Sequence, residues 1–281
     1  MSAANLNLKN FEKNGVAYPF ELKKKFNSEK LLDEYLKYKK KSEEVFGAMC
    51  SLKPHLLSPF FNNIAHDESI IDNVKEIIGE DIYIWSSAFF AKAPGEGKIV
   101  SYHQDNPYWQ LTTDKVITAW VALTESTQEA GALEVVPKTH KMGIINKLDV
   151  ENPRESYLKG ERTTTSDDLL SYNQNLDNFI KENPPTVLNL KPNEYSIHHV
   201  NAVHGSGINK TQNYRIGFAI RYISSETQHK KEKKDLALHI SGVKNKYYQN
   251  EMSPKDEFDS AAINQFKTSM NSTGVFGNKK Y

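Results

Sequence analysis

Between Ser28 and Gly79 the apolar positions follow a helical period. Leu31, Leu32, Tyr35 and Leu36 share one stripe after Asn27 or Ser28, either of which suits a helix N-cap, and the charged stretch 37–44 follows. Ile70, Ile71, Val74, Ile77 and Ile78 form a second stripe, opened by Asp67 or Ser69 and stopped by Gly79. The spacing predicts two amphipathic helices in a helical N-terminal buttress covering about residues 1–80.

From Asp81 to Ile223 the pattern shortens into runs rich in β-branched and aromatic residues: DIYIWSSAFFAK, KVITAWVAL, ALEVVP, TVLNL, EYSIHHV and RIGFAIRYI. Such runs, separated by turn residues, predict a β-sandwich or barrel over about 81–225, buttressed by the helices. The polar, Asp- and Asn-rich stretch of about 144–185 interrupts the series and is expected to be an inserted lid. Beyond it, about 226–281 forms a C-terminal extension, with QHKKEKKD read as a solvated loop or helix start and STGVFGNKKY as a partly disordered tail. One domain over 1–281 is expected.

Composition narrows the partners. A formal charge of +1 gives no global field for nucleic acid or membrane, the Lys-rich segments are offset by Asp and Glu nearby, and Glu232 and Asp235 dilute the run QHKKEKKD. Cys50 is the only cysteine, which excludes an internal disulfide and any site built on several thiolates, so a metal would need His and carboxylate ligands. The start MSAANLNLKNFEKNG lacks the apolar core of a signal peptide, and no apolar run is long enough to span a bilayer. A cytoplasmic monomer or homodimer is the expectation.

His103-Gln104-Asp105 is the first candidate for chemistry, since residues two apart on a strand point the same way and can share one ion. A third ligand would complete a two-His, one-carboxylate facial triad, which leaves coordination positions open for reactants. His204 is the candidate: it follows the predicted strand EYSIHHVNAV and opens the turn GSGINKTQN. His199 is the alternative, and His140 reads as a structural turn residue. In the strand after the turn, Arg215, Gly217, Ala219 and Arg221 alternate with Ile216, Phe218 and Ile220. The apolar set faces covering helices, whereas Gly217 and Ala219 leave room beside Arg215, and a guanidinium in a confined space calls for an anion. Arg221, six residues on, is left unassigned.

The blocks SYHQD, ITAWVAL, GALEVVPKTHKMG and HHVNAVHGSGINKTQNYRIGFAIRY, in that order, resemble the phytanoyl-CoA dioxygenase family of iron(II)/2-oxoglutarate oxygenases. The resemblance runs from about Ser86 to Tyr222. It implies a mainly β fold with flanking helices around a double-stranded β-helix, the cupin-like jelly roll. It also implies His103, Asp105 and His204 as iron ligands, Arg215 as the clamp on the distal carboxylate of 2-oxoglutarate, and Ser206 and Trp120 as lining of the co-substrate site. Pro137-Lys138-Thr139-His140 stands where the family has PGSH, and Ala130 where it usually has Asn, both in the turn region.

The implied activity is that of a dioxygenase using Fe(II), 2-oxoglutarate and O2, hydroxylating a small molecule as 2-oxoglutarate is decarboxylated to succinate and CO2. Related halogenases carry a small residue at the position of Asp105, so hydroxylation or desaturation is favoured over halogenation. A small polar or zwitterionic metabolite is the expected substrate, an aminoalkylphosphonate being one member of that class; Gln110, Thr112, Thr113 and the polar lid are the grounds. Tyr108 and Trp109 either face the substrate or simply pack. Lys92 either pairs with an anionic substrate or co-substrate group or is a solvated surface lysine. A halogenase or natural-product oxygenase of the same fold, and a non-catalytic protein that binds metal and 2-oxoglutarate, are the competing readings.

Overall fold

The computed structural model describes residues 3–272 apart from 152, 154, 155, 157, 158, 160 and 231–233. The tail expected beyond 272, part of the expected lid and the centre of the Lys-rich run lie outside the described residues.

Both expected helices form. Helix α1 (Ala3–Asn14) comes first, then α2 (Ser28–Phe46), whose N-cap Asn27 accepts from Glu29 N at 2.8 Å, and which ends at Gly47 with φ of 74°. A short α3 (Pro59–Ala65) leads into α4 (Glu68–Ile78), capped by Asp67, with Ile70, Val74 and Ile78 buried. The N-terminal region is not purely helical, however. Strand β1 (Val16–Glu21) pairs antiparallel with β7 (Glu194–His199), and the register shift between Ala17 and Phe20 falls at Pro19, which cannot donate to a ladder.

The remaining strands are β2 (Ile82–Lys92), β3 (Val100–His103), β4 (Val116–Ala122), β5 (Glu134–Val135), β6 (Thr186–Val187), β8 (His204–Ser206), β9 (Arg215–Ser224), β10 (Asp235–Ser241) and β11 (Tyr248–Asn250). They make a seven-stranded sheet of order β1-β7-β4-β9-β2-β10-β11 and a four-stranded sheet of order β3-β8-β5-β6. Every pairing is antiparallel except β10 with β11. The two sheets form the jelly roll. The expected core edge near 225 is too early, because β10 extends the large sheet beside β2. A C-terminal helix (Ser260–Ser272) then returns over the outer face, where Phe266 is buried.

Alternation along β9 works as its sequence foretold. Ile216, Phe218 and Ile220 join Phe61, Phe89, Ile197 and Val121 in the main hydrophobic core beneath α2, α3 and α4. Burial of this area supplies the main driving force for placing the helices on that face. The opposite face looks into the jelly roll. There a Cβ on Gly217 would lie 1.9 Å from Cζ2 of Trp120, so the space beside Arg215 belongs to an indole.

Candidate metal centre

The small sheet brings two distant histidines together: β3 and β8 are antiparallel with His103 opposite His204, and their rings sit 4.2 Å apart. Asp105 arrives differently from the sequence expectation. It is not on a strand with His103, since β3 ends there; Asp105 has helical angles (φ −70°, ψ −37°) and precedes the short helix α5 (Asn106–Trp109). Pro107 at the start of α5 favours the helical turn, which curls the carboxylate back under the imidazole. His204 likewise opens strand β8 instead of a turn.

The donor atoms converge. Asp105 Oδ1 lies 3.5 Å from His103 Nε2 and 3.9 Å from His204 Nε2, each within the roughly 4.2 Å that two metal–ligand bonds of ~2.1 Å can span. All three residues are buried. Each imidazole spends its other nitrogen on a backbone carbonyl: His103 Nδ1 donates to Ser101 O and His204 Nδ1 to Ala202 O, both at 2.9 Å. That fixes the tautomer with a lone pair on each Nε2, as metal ligation requires. Burial opposes ionisation of Asp105, but His204, His103 and Arg221 together hold its carboxyl well below the usual range. Burial, reinforced by His103, lowers His204 to about 4 against the pull of Asp105, so the imidazole is neutral. Two imidazoles and a carboxylate on one side of a point form a donor set for a divalent ion of intermediate hardness.

A second convergence lies two residues beyond His204. Ser206 Oγ accepts from Lys92 Nζ at 2.6 Å and from Arg215 Nη2 at 3.3 Å. Lys92 Nζ also donates to Ser206 O and Gly207 O, and Arg215 Nη1 to Phe90 O. Lys92 is 0% exposed, so the reading as a solvated surface lysine is overturned: it faces Arg215 across the register of β2 and β9, pointing inward. Arg215 is 1% exposed, sits 5.6 Å from the Trp120 ring and leaves Nε without a partner among the described residues. Neither cation has a carboxylate within ion-pair distance among those residues. Burial pushes Arg215 down to about 9, and burial with Arg215 alongside pushes Lys92 down to about 6. An incoming carboxylate would relieve both.

The other candidates fall on either side of this centre. Tyr108 packs its ring edge-on against His103 at 5.7 Å and donates its hydroxyl to Tyr172 O. Trp109 is buried against Trp85 and faces Arg221. His199 stands apart from the cluster, 3.6 Å from Asp114 and with its ring tilted against that of His140. Its neighbour His198 points inward instead, 4.6 Å from the His204 ring. Sequence reasoning passed over His198; the period of two along β7 was the available signal. It also passed over Gln104, whose side chain is fully buried between the two candidate ligands that flank it.

Among the described residues no helix is long and apolar enough to cross a membrane. A profile of the phytanoyl-CoA dioxygenase (PhyH) family matches residues 29–217. A probable alpha-ketoglutarate-dependent hypophosphite dioxygenase of Stutzerimonas stutzeri is 24% identical over 69% of this chain and 64% of its own. An ectoine dioxygenase of Streptomyces anulatus is 26% identical over 61% of this chain and 58% of its own. The matches thus span less than two thirds of the length of either relative. In three dimensions, the non-heme monooxygenase ThoJ in its apo form superposes with a TM-score of 0.77 at 24% identity, covering 95% of this chain and 96% of that one. CytC3 with Fe(II) and alpha-ketoglutarate gives 0.61 at 19% identity, covering 92% and 96%.

Proposed function

The chain belongs to the phytanoyl-CoA dioxygenase family, and from that premise we propose that it is an iron(II)- and 2-oxoglutarate-dependent dioxygenase. Its proposed reaction is hydroxylation of a small polar or zwitterionic metabolite. The observation that carries the reading is the pairing of two sites on one short strand: His204 with His103 and Asp105 at one end, Ser206 with Lys92 and Arg215 at the other. A ligand set and a pocket of two buried basic groups two residues apart suit a molecule with a metal-binding end and a carboxylate tail, which 2-oxoglutarate is.

In this proposal His103, Asp105 and His204 hold the iron. The ion, when bound, supplies the oxygen-activating chemistry that no protein side chain provides. Arg215 and Lys92 pair with the distal carboxylate, Ser206 orients it, and Trp120 walls its methylene chain beside the Arg215 guanidinium. Tyr108, resting on His103 and tethered to Tyr172, closes the side of the site toward the proposed lid of 144–185 and excludes water. The relatives named for hypophosphite and ectoine are in keeping with a compact polar substrate. An aminoalkylphosphonate fits the same description.

Iron-loaded protein given 2-oxoglutarate and oxygen is expected to release succinate, slowly without substrate and faster with the correct one. No succinate with any small polar candidate, from protein shown to bind both iron and 2-oxoglutarate, would replace this reading with that of a binding protein.

A further inference from the structure

We infer that the inner face of the large sheet holds a subsite for an oxyanion group of the substrate, a phosphonate or carboxylate, built from Arg221 with Thr118, Ser86 and His198. The inference rests on the dioxygenase reading and names the feature of the substrate that this site recognises. Strand register sets the four residues in one row: His198 lies opposite Thr118, Thr118 opposite Arg221, and Arg221 opposite Ser86. Arg221 shares its strand face with Arg215, and Thr118 shares its face with Trp120, so the row looks into the jelly roll.

The row lies beside the proposed ligands. The His198 ring is 4.6 Å from that of His204, and the charge of Arg221 acts on Asp105. On β9 it sits six residues from Arg215, roughly 20 Å along the strand, with Ala219 and Trp120 between. It is therefore a different place from the Lys92–Arg215 pocket.

What marks it as a binding site is its unmet polarity. All four residues are buried, and Ser86 Oγ, Thr118 Oγ1, His198 Nδ1 and both Nε and Nη1 of Arg221 have no partner among the described residues. Buried polar atoms in folded proteins are almost always bonded, so five in one cross-strand row call for a ligand. The rings of Phe90 and Trp109, each 5.6 Å from the guanidinium carbon, attend to Arg221 without supplying an acceptor. No carboxylate lies within ion-pair distance of it among the described residues, and Asp105 is committed to the proposed metal. A guanidinium edge with two hydroxyls presents several donors at once, matching a group with several acceptor oxygens and one negative charge or more. A cationic or apolar group would leave the same atoms unmet.

The test uses the full chain loaded with Ni(II) and 2-oxoglutarate, titrated with methylphosphonate and, separately, acetate, with binding read by calorimetry and by the fluorescence of Trp109 beside Arg221. Saturable binding of at least one probe to the wild type is expected. Arg221→Gln and Thr118→Val should weaken it, the former roughly tenfold or more, while Arg221→Lys retains part of it and 2-oxoglutarate affinity stays within about twofold. Binding of neither probe to the wild type, or equal binding to Arg221→Gln, would overturn the subsite. So would a tenfold loss of 2-oxoglutarate affinity in Arg221→Gln, which would assign the guanidinium to the co-substrate. A wild type that takes up neither Ni(II) nor 2-oxoglutarate would instead remove the dioxygenase reading itself. Should Arg221→Gln not fold, the milder Thr118→Val decides.

Discussion

Gln104 and Gln174 close a reciprocal pair: the Gln104 backbone N–H donates to Gln174 Oε1 at 2.7 Å, and Gln174 Nε2 donates to Gln104 Oε1 at 3.0 Å. Gln104 Nε2 also donates to Gly143 O and Asn201 O, while Ile145 N donates to Gln104 Oε1. The residue between His103 and Asp105 is thereby bolted to the segment proposed as a lid. Gln174→Ala would strip two of these bonds from buried atoms, at about 1–3 kcal/mol each for groups left unpaired. Hydrogen exchange across 143–176 is expected to accelerate and metal affinity to fall by roughly 10–100-fold, as for other groups that orient ligands. Unchanged exchange and affinity would show that the pair couples nothing.

Arg215 and Lys92 should divide their effects between binding and stability. Arg215→Ala is expected to weaken 2-oxoglutarate by about 100-fold, two charge-assisted bonds being lost, with metal binding retained. Lys92 is lowered from 10.5 to about 6 in the folded protein. Between those values the unfolded chain binds more protons than the native one, so this group makes the ligand-free protein more stable as pH rises from 6 toward 10. Below 6 its full penalty applies. Lys92→Met should flatten the slope between pH 7 and 9 and raise stability at pH 7 while weakening 2-oxoglutarate. Denaturant titrations at the two pH values read the first effect and calorimetry the second.

Gly217→Ala is expected to destabilise the fold by about 1–3 kcal/mol and to displace Trp120, since a Cβ has its nearest neighbour at 1.9 Å in a packed indole. Thermal unfolding and tryptophan fluorescence check it. A variant as stable as the wild type would mean that the indole packs elsewhere.

Legibility in the sequence followed the length and regularity of each signal. The caps at Asn27 and Asp67 and the alternation along β9 were readable because local chemistry and tertiary burial agree there. β1 was not, since Pro19 breaks its ladder and its pairing with β7 joins residues about 180 apart. β10 was masked by the charged run just before it. At the site, the metal-ligand candidates were visible as a motif, yet the reason given for Asp105 was mistaken: a helical turn, not a strand, turns it toward His103. Lys92 looked like a surface lysine because nothing local tells a strand-end lysine that its acceptors, Ser206 and Gly207, come from more than a hundred residues away. Inward His198 and outward His199 differ only in strand parity.

Away from the centre, Lys53 and Glu251 form a fully buried ion pair at 2.7 Å, with Lys53 also donating to Ser269. It ties the segment before α3 to the chain after β11. Lys53→Met would leave Glu251 buried without its partner, costing about 3–5 kcal/mol. Unfolding midpoints of this variant and of the double variant Lys53→Met, Glu251→Leu check it: the double variant is expected to recover most of the loss. No loss in the single variant would show that the pair contributes nothing to stability.

Metal stoichiometry tests the central claim most directly. Metal-free protein titrated with Co(II), followed by its visible absorption and by calorimetry, is expected to take up one equivalent. Asp105→Ala and His204→Ala should bind roughly 100-fold more weakly or worse, whereas His199→Ala should match the wild type. Undiminished binding in Asp105→Ala and His204→Ala, or its loss in His199→Ala, would contradict the assignment.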